Sequence, residues 1–139
     1  MDETHESLFD KAMNRYQSGI DASQLIRDFE TITAASPNQS SAWTCLAWLQ
    51  LLCDDPDSAL RSARTAVRLN GQDPQARINL SLALLETHSK GVRENIEFVK
   101  RALLLVPDFE KEIKSSIADG LERKPNWQSL QKVKDWLEL

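Results

Sequence analysis

Few residues in this chain of 139 could carry chemistry, and their spacing does not build a catalytic or metal-binding set. The two histidines, His5 and His88, are far apart, and neither has a second ligand at i+4 on a predicted helix. Cys45 lies in an apolar stretch that offers neither the base nor the orienting group a nucleophile needs. We therefore predict that the protein is not an enzyme and needs no metal or other cofactor.

A short acidic cluster, Asp54, Asp55 and Asp57, is the strongest remaining signal for a bound cation. It lacks the glycine and the distal glutamate of a calcium-binding loop. Acidic residues at the start of a helix also complement the helix dipole and cap its free N–H groups. We favour helix capping over cation binding for this cluster.

The cysteines, the net charge and the N-terminal residues indicate the cellular compartment and exclude some classes of partner. Cys45 and Cys53 would lie about 12 Å apart on one helix, beyond the reach of a disulfide, which indicates free thiols in a reducing compartment. Residues 1–20 lack the basic start and apolar stretch of a signal peptide, and no apolar run approaches the roughly 18 residues that span a bilayer. The net charge of −4 disfavours nucleic-acid binding. We expect a cytoplasmic protein that neither binds nucleic acid nor inserts in a membrane.

Helix breakers recur at a regular interval along the chain. Prolines occur at positions 37, 56, 74, 107 and 125, and Gly91 divides the longest gap between them. Capping pairs such as Asp55-Pro56 and Asp73-Pro74 are typical helix starts, because proline at the first helical position loses no hydrogen bond. The segments between breakers predict eight helices, at about 4–18, 21–35, 38–53, 56–69, 74–88, 92–105, 107–122 and 126–138.

Pairs of such helices that recur about every 34 residues are typical of a helical repeat protein. The second pair resembles a tetratricopeptide repeat at its diagnostic aromatic, leucine and small positions, which are Trp43, Leu46, Ala47, Ala59, Ala63 and Ala66. The third and first pairs match more loosely. The resemblance implies an all-α fold, an α-α superhelix in a single domain of residues 1–139. It would contain three hairpins at about 4–35, 38–69 and 74–105 and a C-terminal capping hairpin at 107–138.

The resemblance also implies a site, since the first helices of tetratricopeptide hairpins line a concave groove. The matching positions of this chain form a polar end and an apolar middle: Asn14, Trp48, Leu51, Ile78, Asn79, Leu82 and Leu85. Members that grip heat-shock chaperone tails carry Lys, Arg and Asn at the positions held here by Asp10, Asn14, Cys45, Gln75 and Asn79. Only Asn14 fits, so that class of ligand is not expected.

Members of this family are typically adaptors, co-chaperones and assembly factors. The resemblance therefore implies a protein-protein interaction module that binds a peptide or an amphipathic helix of another protein. The alternative is a structural subunit of a permanent homo-oligomer or multiprotein complex, in which a second copy or another subunit covers the apolar groove.

A stripe of arginines, Arg61, Arg64 and Arg68, lies opposite the apolar stripe of its predicted helix. We favour a solvated helix face for these arginines, and the alternative is a contact face for an acidic partner.

The last predicted helix has one apolar stripe, formed by Trp127, Leu130, Val133 and Leu137, with Trp136 beside it. We expect this helix to cap the open end of the stack, as terminal repeats do. The alternatives are that it folds back over the groove or that it holds a partner or a second copy.

Overall fold

The computed structural model describes residues 7–139, and this part of the chain contains eight α-helices and no strand. The all-α prediction is confirmed, and most of the predicted ends lie within about two residues of those observed. The predicted start of the first helix at residue 4 lies outside the described residues, as does His5. The helices are α1 Leu8–Gln17, α2 Ala22–Ala35, α3 Ser40–Leu52, α4 Pro56–Leu69, α5 Pro74–Glu86, α6 Val92–Leu105, α7 Pro107–Arg123 and α8 Gln128–Trp136.

Proline and a preceding acidic residue begin two of these helices, as predicted. The Asp55 side chain accepts a hydrogen bond from the Ser58 N–H at the start of α4. Asp73 accepts from the Gln75 N–H, 3.0 Å away, at the start of α5. The acidic cluster at residues 54–57 therefore belongs to a helix start, because the side chain of its central residue, Asp55, caps α4.

The first six helices form three successive hairpins, each packed on the next. Small residues make the close packing around α4 feasible, since Ala59, Ala63 and Ala66 have no exposed surface. The first hairpin joins the stack through larger side chains, with Phe29 only 1% exposed and its ring edge-on to Phe9. These hairpins form the α-α superhelix that the repeated breakers indicated.

The C-terminal hairpin, α7 and α8, packs on the third hairpin and also on the face of the stack. It follows α6 and then crosses the face formed by α3 and α5. The last turn of α7 reaches α1, where the Arg123 guanidinium donates a hydrogen bond to the backbone oxygen of Tyr16 over 2.8 Å. The hairpin thus lies over the face of α3 and α5, as the fold-back alternative describes, while α7 also packs on α6 as a capping hairpin does. That residues 1–139 form a single domain stays a prediction, because residues 1–6 lie outside the described part.

Three further contacts help to hold this hairpin against the stack. Trp127 is 2% exposed, and its indole N–H donates to the Glu86 carboxylate over 2.7 Å. Its ring lies against the ring of Trp48, with centroids 5.2 Å apart. Lys124 donates to the backbone oxygen of Leu51 over 3.0 Å. The apolar stripe of the last helix therefore packs on the apolar face of α3 and α5, which removes both from water.

Candidate functional site

The predicted groove residues lie on one face of the superhelix, but that face has two different halves. In the first half, Trp48, Leu51, Ile78 and Leu82 are all buried, with exposures of 9%, 0%, 1% and 0%. They lie beneath α7 and α8 and share one apolar core cluster with the last helix. We call these four residues the closed half of the concave face. Apart from the edge of the Trp48 indole, they offer no surface to a partner, because the chain's own C-terminal hairpin covers them.

The close approach of α7 to this half depends on a glycine. A Cβ atom added at Gly120 would lie 2.7 Å from a methyl carbon of Leu130 and 2.8 Å from the ring of Trp48. Both distances are shorter than a carbon–carbon contact allows. From sequence, Gly120 marks only an approaching helix end, whereas the structure places it inside α7 against two core side chains.

The second half of the concave face remains open. It is a pocket of about 210 Å³ between α1, α3, α5 and α7. We call this the open pocket, and its described lining includes Met13, Tyr16, Cys45, Gln75, Asn79 and Ser116. Most of its wall is apolar, and polar groups stand on the α5 and α7 sides. The indole of Trp48 forms the boundary with the closed half.

A half-buried polar cluster separates the two halves. The Tyr16 hydroxyl donates a hydrogen bond to the Asp119 carboxylate and accepts one from the Trp48 indole N–H over 2.8 Å. Arg123 donates to the same carboxylate over 3.1 Å, and its guanidinium lies 3.7 Å from the centre of the Tyr16 ring. Burial, and then the bond to Asp119, raises the pKa of the Tyr16 phenol, so it stays protonated as a donor. The cluster ties α1 to α3 and α7.

Neither Asp119 nor Arg123 is predicted to have a role from the sequence. Their spacing of four residues on one helix does place them on one face, which was the available signal. It could not indicate Tyr16 as their partner, because that contact joins the first and seventh helices.

Of the polar groove residues, Asn79 is internally satisfied. It is fully buried, and its amide donates to the backbone oxygen of Thr44 over 2.9 Å and accepts from the Gln75 side chain over 2.9 Å. Asn14 is exposed on α1 and does not line the open pocket, and Leu85 is half-buried on α5. Asn79 therefore joins α3 to α5, and Gln75 presents the remaining amide groups to the pocket.

The two cysteines are unpaired in the structure. Burial, and to a smaller degree the charge of Asp73, raises the pKa of the Cys45 thiol to about 12. Its sulfur lies 3.7 Å from that of Met13 in the wall of the open pocket. At neutral pH Cys45 is a neutral, apolar wall group rather than a nucleophile.

The remaining sequence candidates lie outside this site. His88 is exposed after the end of α5, and the described residues contain no group of three or more His, Cys, Asp or Glu placed to hold a metal ion. In the part of the chain that the structure covers, no helix combines the length and apolarity needed to cross a membrane. Arg61, Arg64 and Arg68 are exposed on α4, opposite its buried alanines.

Comparison with known proteins identifies the fold but not a family. No protein-family model matches the chain, and no curated protein matches its sequence. Solved structures do match. The type III secretion translocator chaperone SycD of Yersinia enterocolitica superposes with a TM-score of 0.70 at 16% identity, over 96% of this chain and 87% of that one.

Two further structures show the same likeness. SycD in complex with a peptide of the translocator YopD gives a TM-score of 0.58 at 19% identity, covering 99% of this chain and 92% of that one. MamA gives 0.61 at 16% identity, covering 98% and 77%. The chain therefore has the tetratricopeptide-like helical superhelix of these proteins, and at such identities the likeness concerns the fold.

Proposed function

We propose that this protein is a non-catalytic interaction module that binds a segment of another protein in the open pocket. The observation that carries the proposal is the pocket itself, an apolar cavity of about 210 Å³ left on the concave face after the C-terminal hairpin has covered the rest. SycD, which has the same fold, is described in complex with a peptide of its translocator. The two unpaired cysteines support a cytoplasmic, reducing location.

The size of the pocket favours a protein segment over a metabolite. Sites for small molecules usually enclose about 300–1,000 Å³. A pocket of about 210 Å³ instead suits one or two side chains of a partner. Protein interfaces concentrate their binding free energy in such anchor side chains. Binding at this position also leaves the core cluster beneath α7 and α8 undisturbed.

A pocket-filling substitution tests this function. Ser116 is half-buried in the lining on α7, so Ser116→Phe places an aromatic ring in the cavity without replacing a core residue. Ser115→Phe is the matched control, because Ser115 is exposed on the same helix and lies outside the pocket. The purified chain and both variants would be used to capture partners from the native cell.

We expect Ser116→Phe to abolish capture and Ser115→Phe to retain it. A photocrosslinker at position 116 should then link to a short contiguous segment of the captured protein. Capture that survives the filled pocket would contradict the proposal.

A structural role in a permanent assembly is the second candidate, and one observation favours it. Leu104 and Leu105 at the end of α6 are 83% and 80% exposed. Neighbouring exposed leucines are typical of an association surface. Sedimentation velocity at several concentrations, with Leu104→Ser as the variant, tests this candidate. A constant larger mass that the variant abolishes would favour it.

A further inference from the structure

We propose that the partner segment carries an apolar side chain flanked by lysine or arginine residues. The apolar side chain occupies the open pocket, and the basic residues contact an acidic rim around it. This inference rests on the proposed function and adds the chemistry of the partner to it.

The floor of the pocket requires an uncharged occupant. Of the described residues that line it, Asp119 alone carries a charge at neutral pH. Its carboxylate already accepts hydrogen bonds from the Tyr16 hydroxyl and from Arg123. A charged side chain placed there would lose its hydration without gaining a free counter-charge. An aliphatic or methionine side chain loses no charge hydration and needs no counter-charge, and it gains contact with Met13 and Trp48.

Three acidic side chains on three separate elements lie within one helical turn of residues that line the pocket, and we infer that they form its rim. Asp10 lies one turn before Met13 on α1, Asp73 begins α5 two residues before Gln75, and Glu112 lies one turn before Ser116. Lys111, beside Glu112 in a shallow depression of α7, offsets one of these charges. The rim therefore keeps an excess of negative charge.

The pKa of Asp73 agrees with this closeness of carboxylates. Burial raises the pKa of the Asp73 carboxyl, and the charge of Glu112 raises it further. Repulsion between carboxylates of different helices indicates that they share one surface. A cation bound between them would relieve that repulsion and favour the ionised form of Asp73.

Two fluorescent peptides with the same apolar centre, one flanked by lysines and the other by glutamates, test the inference with the full chain. Anisotropy titration at low ionic strength should show at least about tenfold tighter binding of the lysine peptide. Raising the salt concentration should narrow this difference, because exposed charges are screened. Ser116→Phe should abolish binding of both peptides.

The rim residues are then neutralised together in a variant with Asp10→Asn, Asp73→Asn and Glu112→Gln. Asparagine still caps a helix, so α5 retains its start. The preference for the lysine peptide should fall below about threefold, because the carboxylates that attract it are gone. The three residues are replaced together because a single exposed ion pair contributes little alone. The control is Glu110→Gln on the same helix, which removes a carboxylate that pairs with Lys114 over 3.2 Å. It should leave the preference unchanged.

Each other outcome overturns the inference. If both peptides bind equally and Ser116→Phe abolishes that binding, the partner needs no basic residues and the proposed function stands. If neither peptide binds up to about 1 mM, both the inference and the proposed function are wrong. Self-association of the unmodified chain that Ser116→Phe abolishes would assign the pocket to a second copy instead.

Discussion

The two halves of the concave face are built on the same helices, but one half is covered by the C-terminal hairpin and the other is open. Trp48 in the closed half and Cys45 in the open pocket are one turn apart on α3, and Leu82 and Gln75 are two turns apart on α5. The closed half is filled by Trp127 and other side chains of the last helix. The open pocket ends at the polar cluster around Tyr16 and is not filled by the chain's own side chains.

This difference separates the half of the face that contributes to the folded core from the half that we propose for binding. The most apolar positions of α3 and α5 are satisfied within the chain, so they contribute to folding. The half that remains accessible is smaller, more polar at its edge and bounded by acidic residues. Perturbations of the closed half should therefore change stability strongly, and those of the open pocket should change binding with little effect on stability.

Removal of the last helix should have the largest effect. A chain that ends at Lys124 loses four side chains that are at most 5% exposed, namely Trp127, Leu130, Val133 and Leu137. At about 1.5–3 kcal/mol each, their loss approaches the 5–15 kcal/mol that typically stabilises a domain. Thermal unfolding followed by circular dichroism should lose its cooperative transition. An unchanged transition would show that α8 is not part of the fold.

The two tryptophans of the C-terminal hairpin allow a matched test of the same half. Trp127→Ala should cost about 3–5 kcal/mol, because it opens a cavity against Trp48 and leaves Glu86 without its donor. Trp136 is 42% exposed, and Trp136→Ala should cost roughly 1 kcal/mol or less. Urea denaturation measures both. Equal costs would mean that the buried contact does not stabilise the fold.

The fold was predictable from the sequence because its signals are local. A proline after a capping aspartate, as at Asp55 and Asp73, begins a helix by satisfying its own first turn. The alanines of α4 similarly indicate close packing with whichever helix comes next. Such signals act over a few residues, so the helices and their hairpin pairing follow from the sequence alone.

The site was predictable only in part, because its decisive contacts join distant segments. The apolar stripe of α3 and α5 shows that something covers it, and periodicity does not distinguish a partner from the chain's own last helix. The contact between Trp48 and Trp127 decides this, and so does the space left by Gly120. The bonds from Tyr16 to Asp119 likewise connect the first helix to the seventh.

Substitution of Gly120 should have an intermediate effect. Gly120→Ala places a methyl group within 3 Å of Leu130 and Trp48, so α7 must shift or the core must repack. We expect a net loss of about 1–2 kcal/mol, since overpacking costs more than the gain in helix propensity returns. Ser116→Ala, one turn earlier on the open side, is the control and should change stability by less than about 0.5 kcal/mol. A stabilised Gly120→Ala variant would show that α7 does not approach so closely.

The smallest effect is expected at Arg64, on the solvent side of α4 and outside both halves of the concave face. Arg64 is exposed, and it lies opposite Ala59, Ala63 and Ala66, which are fully buried. Arg64→Ala should change the free energy of unfolding by less than about 0.5 kcal/mol, because it removes no buried contact.

Binding separates the two interpretations of the arginine stripe. If the stripe is a solvated face, replacing Arg61, Arg64 and Arg68 with glutamine leaves partner capture unchanged while Ser116→Phe abolishes it. If the stripe contacts an acidic partner, the same triple variant weakens capture, and the loss grows as the salt concentration falls. The second result would place the interface on α4, and the open pocket would then no longer account for binding.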